Sequence, residues 1–233
     1  MRILAVIPAR MSSSRFPGKP MAELLGSPMI RHVYENTVLN PLVDLTVVAT
    51  CDEEIAEYVV SVGGRAVMTS NEHVRATDRC AEAVVIVEEE DGVRFDIVVM
   101  VQGDEPMTHP GMITEAVEPL LDDPSIPVTT LLGKISSIDE LRDPNCIKVV
   151  CDRSGNALYF SRAPIAGAVK QWRCGHPRPR QVESPTCPCR RPGLPPGRER
   201  LIRSRPRRGC PSSKPATGRR SPFREAAIVR TYG

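Results

Sequence analysis

Ile3-Leu4-Ala5-Val6-Ile7-Pro8-Ala9-Arg10-Met11-Ser12-Ser13-Ser14-Arg15-Phe16-Pro17-Gly18-Lys19-Pro20 is the stretch on which the fold turns. Residues 2–7 are a short apolar run, the pattern of a strand buried on both faces. A loop rich in Pro, Ser and Gly follows it at once. The same alternation continues downstream. Strands are expected at residues 45–50, 65–68, 96–101, 128–132, 147–151 and 157–160. Helices are expected at 28–39, 53–62, 77–90 and 110–121, the second of them stopped by Gly63-Gly64. Short β-branched runs separated by helices predict an α/β fold with a mainly parallel sheet covered on both faces.

In an open α/β sheet, ligands sit beyond the carboxyl ends of the strands. The loop at 8–20 lies there. It carries three cations, Arg10, Arg15 and Lys19, three hydroxyls and many backbone N–H groups. A triphosphate needs such fixed dipoles and cations to offset its charge. The plain alternative is a solvated basic loop. The Gly-x4-Gly-Lys-Ser/Thr spacing of a Walker loop is absent.

A second candidate follows the most apolar strand. In Gln102-Gly103-Asp104-Glu105-Pro106, Gly103 is expected to permit a turn few residues tolerate. Asp104 is a hard oxygen ligand suited to Mg²⁺, or simply a turn-former. A third is Asn71-Glu72-His73-Val74-Arg75-Ala76-Thr77-Asp78-Arg79. Thr77 there is a good N-cap and Asp78 suits the first turn. His73 fits a surface position as well as a ligand-binding one.

The motif Pro8-Ala9-Arg10-x-x-Ser13-x-Arg15-x-Pro17-Gly18-Lys19-Pro20 resembles the opening signature of the 3-deoxy-manno-octulosonate (Kdo) cytidylyltransferases. Four later stretches match in order: Pro28-Met29-Ile30-x-His32-Val33, Val48-Ala49-Thr50, Val101-Gln102-Gly103-Asp104-Glu105-Pro106, and Leu158-Tyr159-Phe160-Ser161-Arg162-Ala163-Pro164-Ile165. The resemblance covers residues 1–165. It implies a single-domain nucleotide-diphospho-sugar transferase-like fold with a mixed sheet, here truncated. It implies transfer of CMP from CTP to the acidic sugar, with pyrophosphate released, for lipopolysaccharide precursor synthesis. Under it, Pro8 and Ala9 border the cytosine. Arg10 and Lys19 bind phosphates and offset charge during transfer. Ser13 and Arg15 complete the loop, Thr77, Arg79 and Gln102 join the nucleotide site, and Asp104 holds Mg²⁺. The family commonly reads Ser-Gly-Thr-Glu-Arg where this chain reads Arg75-Ala76-Thr77-Asp78-Arg79. A related 8- or 9-carbon acidic sugar is a second candidate substrate. The resemblance also implies a homodimer.

Composition divides the chain. Residues 1–170 hold 15 Lys and Arg against 25 Asp and Glu, whereas residues 171–233 hold 16 against three. The second stretch has 11 Pro and 15 Arg in 63 positions and no apolar periodicity. Such a segment buries too little apolar surface to offset chain entropy. The expected division is a nucleotide-binding domain at 1–166 and an irregular Pro/Arg-rich tail at 167–233. The family's dimerisation segment, sugar-binding stretch and Val-Asp-Thr-Pro-like motif, which supplies a second metal carboxylate, are not found after Ile165. A frameshift accounts for the tail's composition. A native basic tail that binds nucleic acid or acidic lipid and a zinc site at Cys174, His176, Cys187, Cys189 and Cys210 are weaker readings. The expectation is that CTP recognition is kept and transfer impaired, down to an inactive CTP-binding remnant. No leader-like or bilayer-length run is seen, so the expected compartment is the cytoplasm, with the eight cysteines reduced. No nucleic-acid partner is expected.

Overall fold

The computed structural model describes residues 1–12, 16–165, 200–204 and 224–231, the last two segments as backbone strands. Two compact units divide the chain, Met1–Leu131 with Leu201–Val229, and Leu132–Arg200 with Arg230–Gly233.

The first unit is built around a sheet. Strands β1 (Ile3–Pro8), β4 (Leu45–Thr50), β5 (Arg65–Met68) and β6 (Ile97–Val101) stand in the order β5-β4-β1-β6, and each neighbouring pair is parallel. Between them run α1 (Met29–Val38), α2 (Glu53–Ser61) and α3 (Ala76–Asp91), and α4 (Pro110–Asp122) follows β6. A short hairpin, β2 (Glu23–Leu24) with β3 (Ser27–Pro28), leads into α1. The α/β architecture is the expected one, with most element bounds within a residue or two.

The period of two along a strand decides which side chains meet which helices. Ile3, Ala5 and Ile7 of β1 join Ile97, Val99 and Val101 of β6 in one core cluster, packed with Ile30, Val33, Ile55, Val59, Ile113 and Leu120 of α1, α2 and α4. Leu4 and Val6 join Val98 and Met100 in the other, against Cys80, Ala83, Val84 and Val87 of α3. Helices therefore cover both faces, which is why these strands read as continuous apolar runs.

Strand β7 (Val128–Leu132) extends the sheet, with β10 (Arg200–Ser204) and β11 (Arg224–Thr231), in the order β10-β7-β11-β6. β11 pairs parallel with β6. Both late strands fall where the sequence predicts irregular chain. They coincide with its clustered apolar residues, Leu201-Ile202 and Ala226–Val229. The remaining tail positions, including Cys174, His176, Cys187, Cys189 and Cys210, lie outside the described residues. No described helix is long and apolar enough to cross a membrane.

The second unit contains α5 (Ile138–Arg142) and an antiparallel ribbon of β8 (Lys148–Cys151) with β9 (Ala157–Ser161). The capping box at Ser137 and Glu140 starts α5. That S-x-x-E signal is legible in the sequence. Lys148 is buried, 2% exposed, and its ammonium donates to three carbonyl oxygens, those of Asp143, Cys146 and Arg162. One cation thus ties the ribbon to the segments on either side of it. Lys148→Met should leave those carbonyls unmatched and cost about 1–3 kcal/mol, read from urea midpoints. An unchanged midpoint would mean the carbonyls find other donors.

Candidate active site

Parallel pairing places the carboxyl ends of β1, β4 and β6 side by side, and the loops after them meet. Ala9 N–H donates to Ala49 O at 2.9 Å, and Met11 N–H donates to Asp52 Oδ2 at 2.8 Å. Gly18, at φ +71°, closes the loop with its N–H on Met11 O at 2.9 Å. The chain then enters a 3-10 turn at Lys19–Met21. Gly103 lies so close to β1 that a Cβ on it would stand 2.6 Å from Pro8 O. The sequence predicts an unusual turn conformation at Gly103. It is not among the positive-φ glycines, and the need for glycine comes from this close approach instead.

A cleft of about 300 Å³ opens over these strand ends. Seven expected site residues line it: Pro8, Ala9, Arg10, Lys19, Arg79, Gln102 and Asp104. Ser13 and Arg15 lie outside the described residues. Thr77 is not on the lining. It does not cap α3 either, because the helix begins at Ala76 with the extended residue Arg75 at the N-cap, which leaves Thr77 inside the first turn. His73, Val74, Arg75 and Ala76 also line the cleft. The sequence reading does not single out Arg75. The available signal is its place just before a helix whose next turn carries Arg79.

Charge in the cleft is mostly positive. Arg10 and Arg75 are exposed. Arg79 is only 3% exposed, with its guanidinium donating to Thr69 Oγ1 and to Cys51 Sγ, the latter at 3.4 Å. Its two hydrogen-bond acceptors are a hydroxyl and a thiol, and the Glu82 carboxylate acts on it electrostatically. Lys19 Nζ meets Asp104 Oδ2 at 2.8 Å. Among the described residues four Arg or Lys side chains and one carboxylate line the cleft, a surface suited to a polyanion. At the rim, His73 Nε2 meets Glu82 Oε2 at 2.6 Å, and Ser70 N–H donates to the same oxygen at 2.8 Å. The Ser70 amide holds the Glu82 carboxyl below its ordinary value, with His73 adding to the effect against the opposing pull of burial.

Among the described residues no group of three His, Cys, Asp or Glu forms a ready metal cage. Among the described residues lining the cleft, Asp104 alone offers a hard carboxylate oxygen. One carboxylate fits a cation such as Mg²⁺, which is held largely by waters and ligand phosphates.

A family model described as cytidylyltransferase matches residues 4–171. The 3-deoxy-manno-octulosonate cytidylyltransferase of Geobacter metallireducens is 49% identical over 172 residues, 74% of this chain and 65% of that one. That of Syntrophus aciditrophicus is 51% identical over 164 residues, 70% and 65% of the two chains. The matched segment therefore spans less than two thirds of those relatives. A solved CMP:2-keto-3-deoxy-manno-octonic acid synthetase complexed with CTP is similar in structure, with TM-score 0.61 and 38% identity over 78% of this chain and 68% of that one.

Two substitutions check the site's construction. Gly103→Ala forces Pro8 away from the turn and should cost about 1–3 kcal/mol of stability by urea titration; a neutral result would mean the two backbones part freely. Glu82→Gln tests the rim. A depressed carboxyl stabilises the fold above its ordinary value of 4.5 and loses that contribution as pH falls through its folded value. The parent should be the more stable at pH 7, with the gap closing in acid. A gap independent of pH would contradict the assignment.

Proposed function

The chain belongs to the cytidylyltransferase family, and on that premise we propose that it transfers CMP from CTP to Kdo and releases pyrophosphate. The observation that carries this reading is the joining of Arg10, Lys19, Arg79 and Asp104 in one cleft at the ends of parallel strands. A nucleotide-binding remnant would keep the same cleft, so it is the named relatives that favour a transferase over it. The named relatives support the choice of CTP and Kdo.

In this reading a hydroxyl oxygen of the sugar attacks the α-phosphorus of CTP. The bond from that phosphorus to the β-phosphate bridging oxygen breaks, and the hydroxyl proton passes to solvent. The chain's residues do little covalent work. They hold attacking and leaving oxygens in line and offset charge on the phosphates. Arg10 and Lys19 take the phosphates. Arg79 already lies buried, so a phosphate there gains the attraction of a cation that needs no desolvation at the moment of reaction. The Pro8–Ala9 backbone and Gln102 border the base. Asp104 would hold Mg²⁺, which, when bound, supplies further positive charge at the phosphates. A place in lipopolysaccharide precursor synthesis in the cytoplasm completes the proposal on the strength of the family resemblance.

Pyrophosphate release tests it, with Kdo and Mg²⁺ present and CTP, UTP, ATP or GTP as donor. Release should require Kdo and be fastest with CTP. Arg79→Met should lower kcat/KM by about 100-fold, the scale of losing one preorganised charge contact. CTP binding without pyrophosphate release would contradict transfer. Equal use of ATP would contradict the cytidylyl assignment.

A further inference from the structure

Lys19 and Asp104 stand 85 positions apart in sequence and meet at 2.8 Å. Among the described residues neither side chain makes another hydrogen bond. Both are carried on pinned backbone. Lys19 follows Gly18, whose left-handed φ of +71° and N–H to Met11 O fix the entry to the 3-10 turn. Asp104 follows Gly103, which is pressed against Pro8 O. Two anchored loops thus bring an ammonium and a carboxylate together at the cleft.

The contact competes with what each group would do for a ligand. A divalent cation seeking Asp104 meets the Lys19 ammonium at the same oxygen. A phosphate seeking Lys19 meets the Asp104 carboxylate. A cation that takes Asp104 Oδ2 displaces the Lys19 ammonium and frees it for a phosphate, and a phosphate that draws Lys19 away frees Asp104.

We propose that the Lys19–Asp104 pair is an autoinhibitory latch that couples the two ligands of the cleft, a nucleoside triphosphate and a divalent cation. Each binds weakly alone and more tightly after the other. This rests on the nucleotide reading above for the identity of the anion, while the cation side rests on the pair itself. Coupling of this kind is reciprocal: the factor by which the anion aids the cation equals the factor by which the cation aids the anion. The side chains are 32% and 52% exposed, so solvent screens the pair and the latch is shallow. It weakens as salt is raised.

The test uses the full chain and Mn²⁺ alone, without nucleotide, with free Mn²⁺ counted by electron paramagnetic resonance. Lys19→Met should tighten Mn²⁺ binding about fivefold, the upper range for opening a half-exposed pair. Lys19→Arg keeps the pair and should leave it unchanged. Arg75→Gln removes a cleft cation that has no ion pair among the described residues, and should shift it by less than about twofold. In the reciprocal arm Asp104→Asn should tighten CTP binding in EDTA, read by calorimetry. The latch is overturned if Lys19→Met and Arg75→Gln act alike, if no variant binds Mn²⁺ more tightly, or if Asp104→Asn leaves metal-free CTP binding unchanged or weaker. Thermal melts of all four variants check folding, and Lys19→Gln, which also removes the ammonium, takes the place of Lys19→Met if that variant unfolds. Binding of CTP with Mg²⁺ by the unaltered chain is measured alongside. Its absence would remove the nucleotide reading and the coupling with it, whereas CTP binding by the unaltered chain together with an unchanged Mn²⁺ affinity in Lys19→Met would overturn the latch alone.

Discussion

The parallel register of β1 against β6 is the constraint on which the rest depends. It sets Ile3 opposite Ile97 and Val6 opposite Met100, so the two strands end together. Gly103 can then lie against Pro8 with no room for a side chain between them. That approach carries Asp104 to Lys19. Every charged group of the cleft owes its place to strand ends held by apolar packing several residues back. The chemistry is polar, but its precision comes from the aliphatic core.

The arrangement of charge follows the same logic. One carboxylate is neutralised by one ammonium, and the remaining cations face the cleft. A phosphate chain is the natural complement of such a surface, since it carries several negative charges. Arg79 shows the point most clearly. Its desolvation is met during folding, against Thr69 and Cys51, and the folded core holds the guanidinium in position. A flexible surface arginine would have to be ordered at each binding event, at a cost in side-chain entropy.

Much of this is legible in the residues before any coordinates. The runs at Ile3–Pro8 and Ile97–Val101 read as buried strands because both faces are covered. The loop at 8–20 and the turn at 102–106 read as ligand-facing because both follow strands. Other features follow from contacts that no local pattern encodes. Gly103 looks like a turn glycine, yet its role is set by a carbonyl 95 positions earlier in the chain. Thr77 has the composition of a cap, but the extended backbone at Arg75 starts the helix sooner. Nothing local in Ile147-Lys148-Val149-Val150 marks Lys148 for burial, which depends on three carbonyls brought together by the ribbon. The strands at Arg200–Ser204 and Arg224–Thr231 sit in a stretch whose Pro and Arg content masks two short apolar runs.

The central claim is that three separate stretches of sequence form one nucleotide cleft. Amide hydrogen exchange with and without CTP and Mg²⁺ reads it directly, because a ligand slows exchange where it stills the backbone. Slowed exchange confined to residues 9–20, 75–79 and 102–106 is the predicted result. Protection in only one of these stretches, or centred away from all three, would contradict the account.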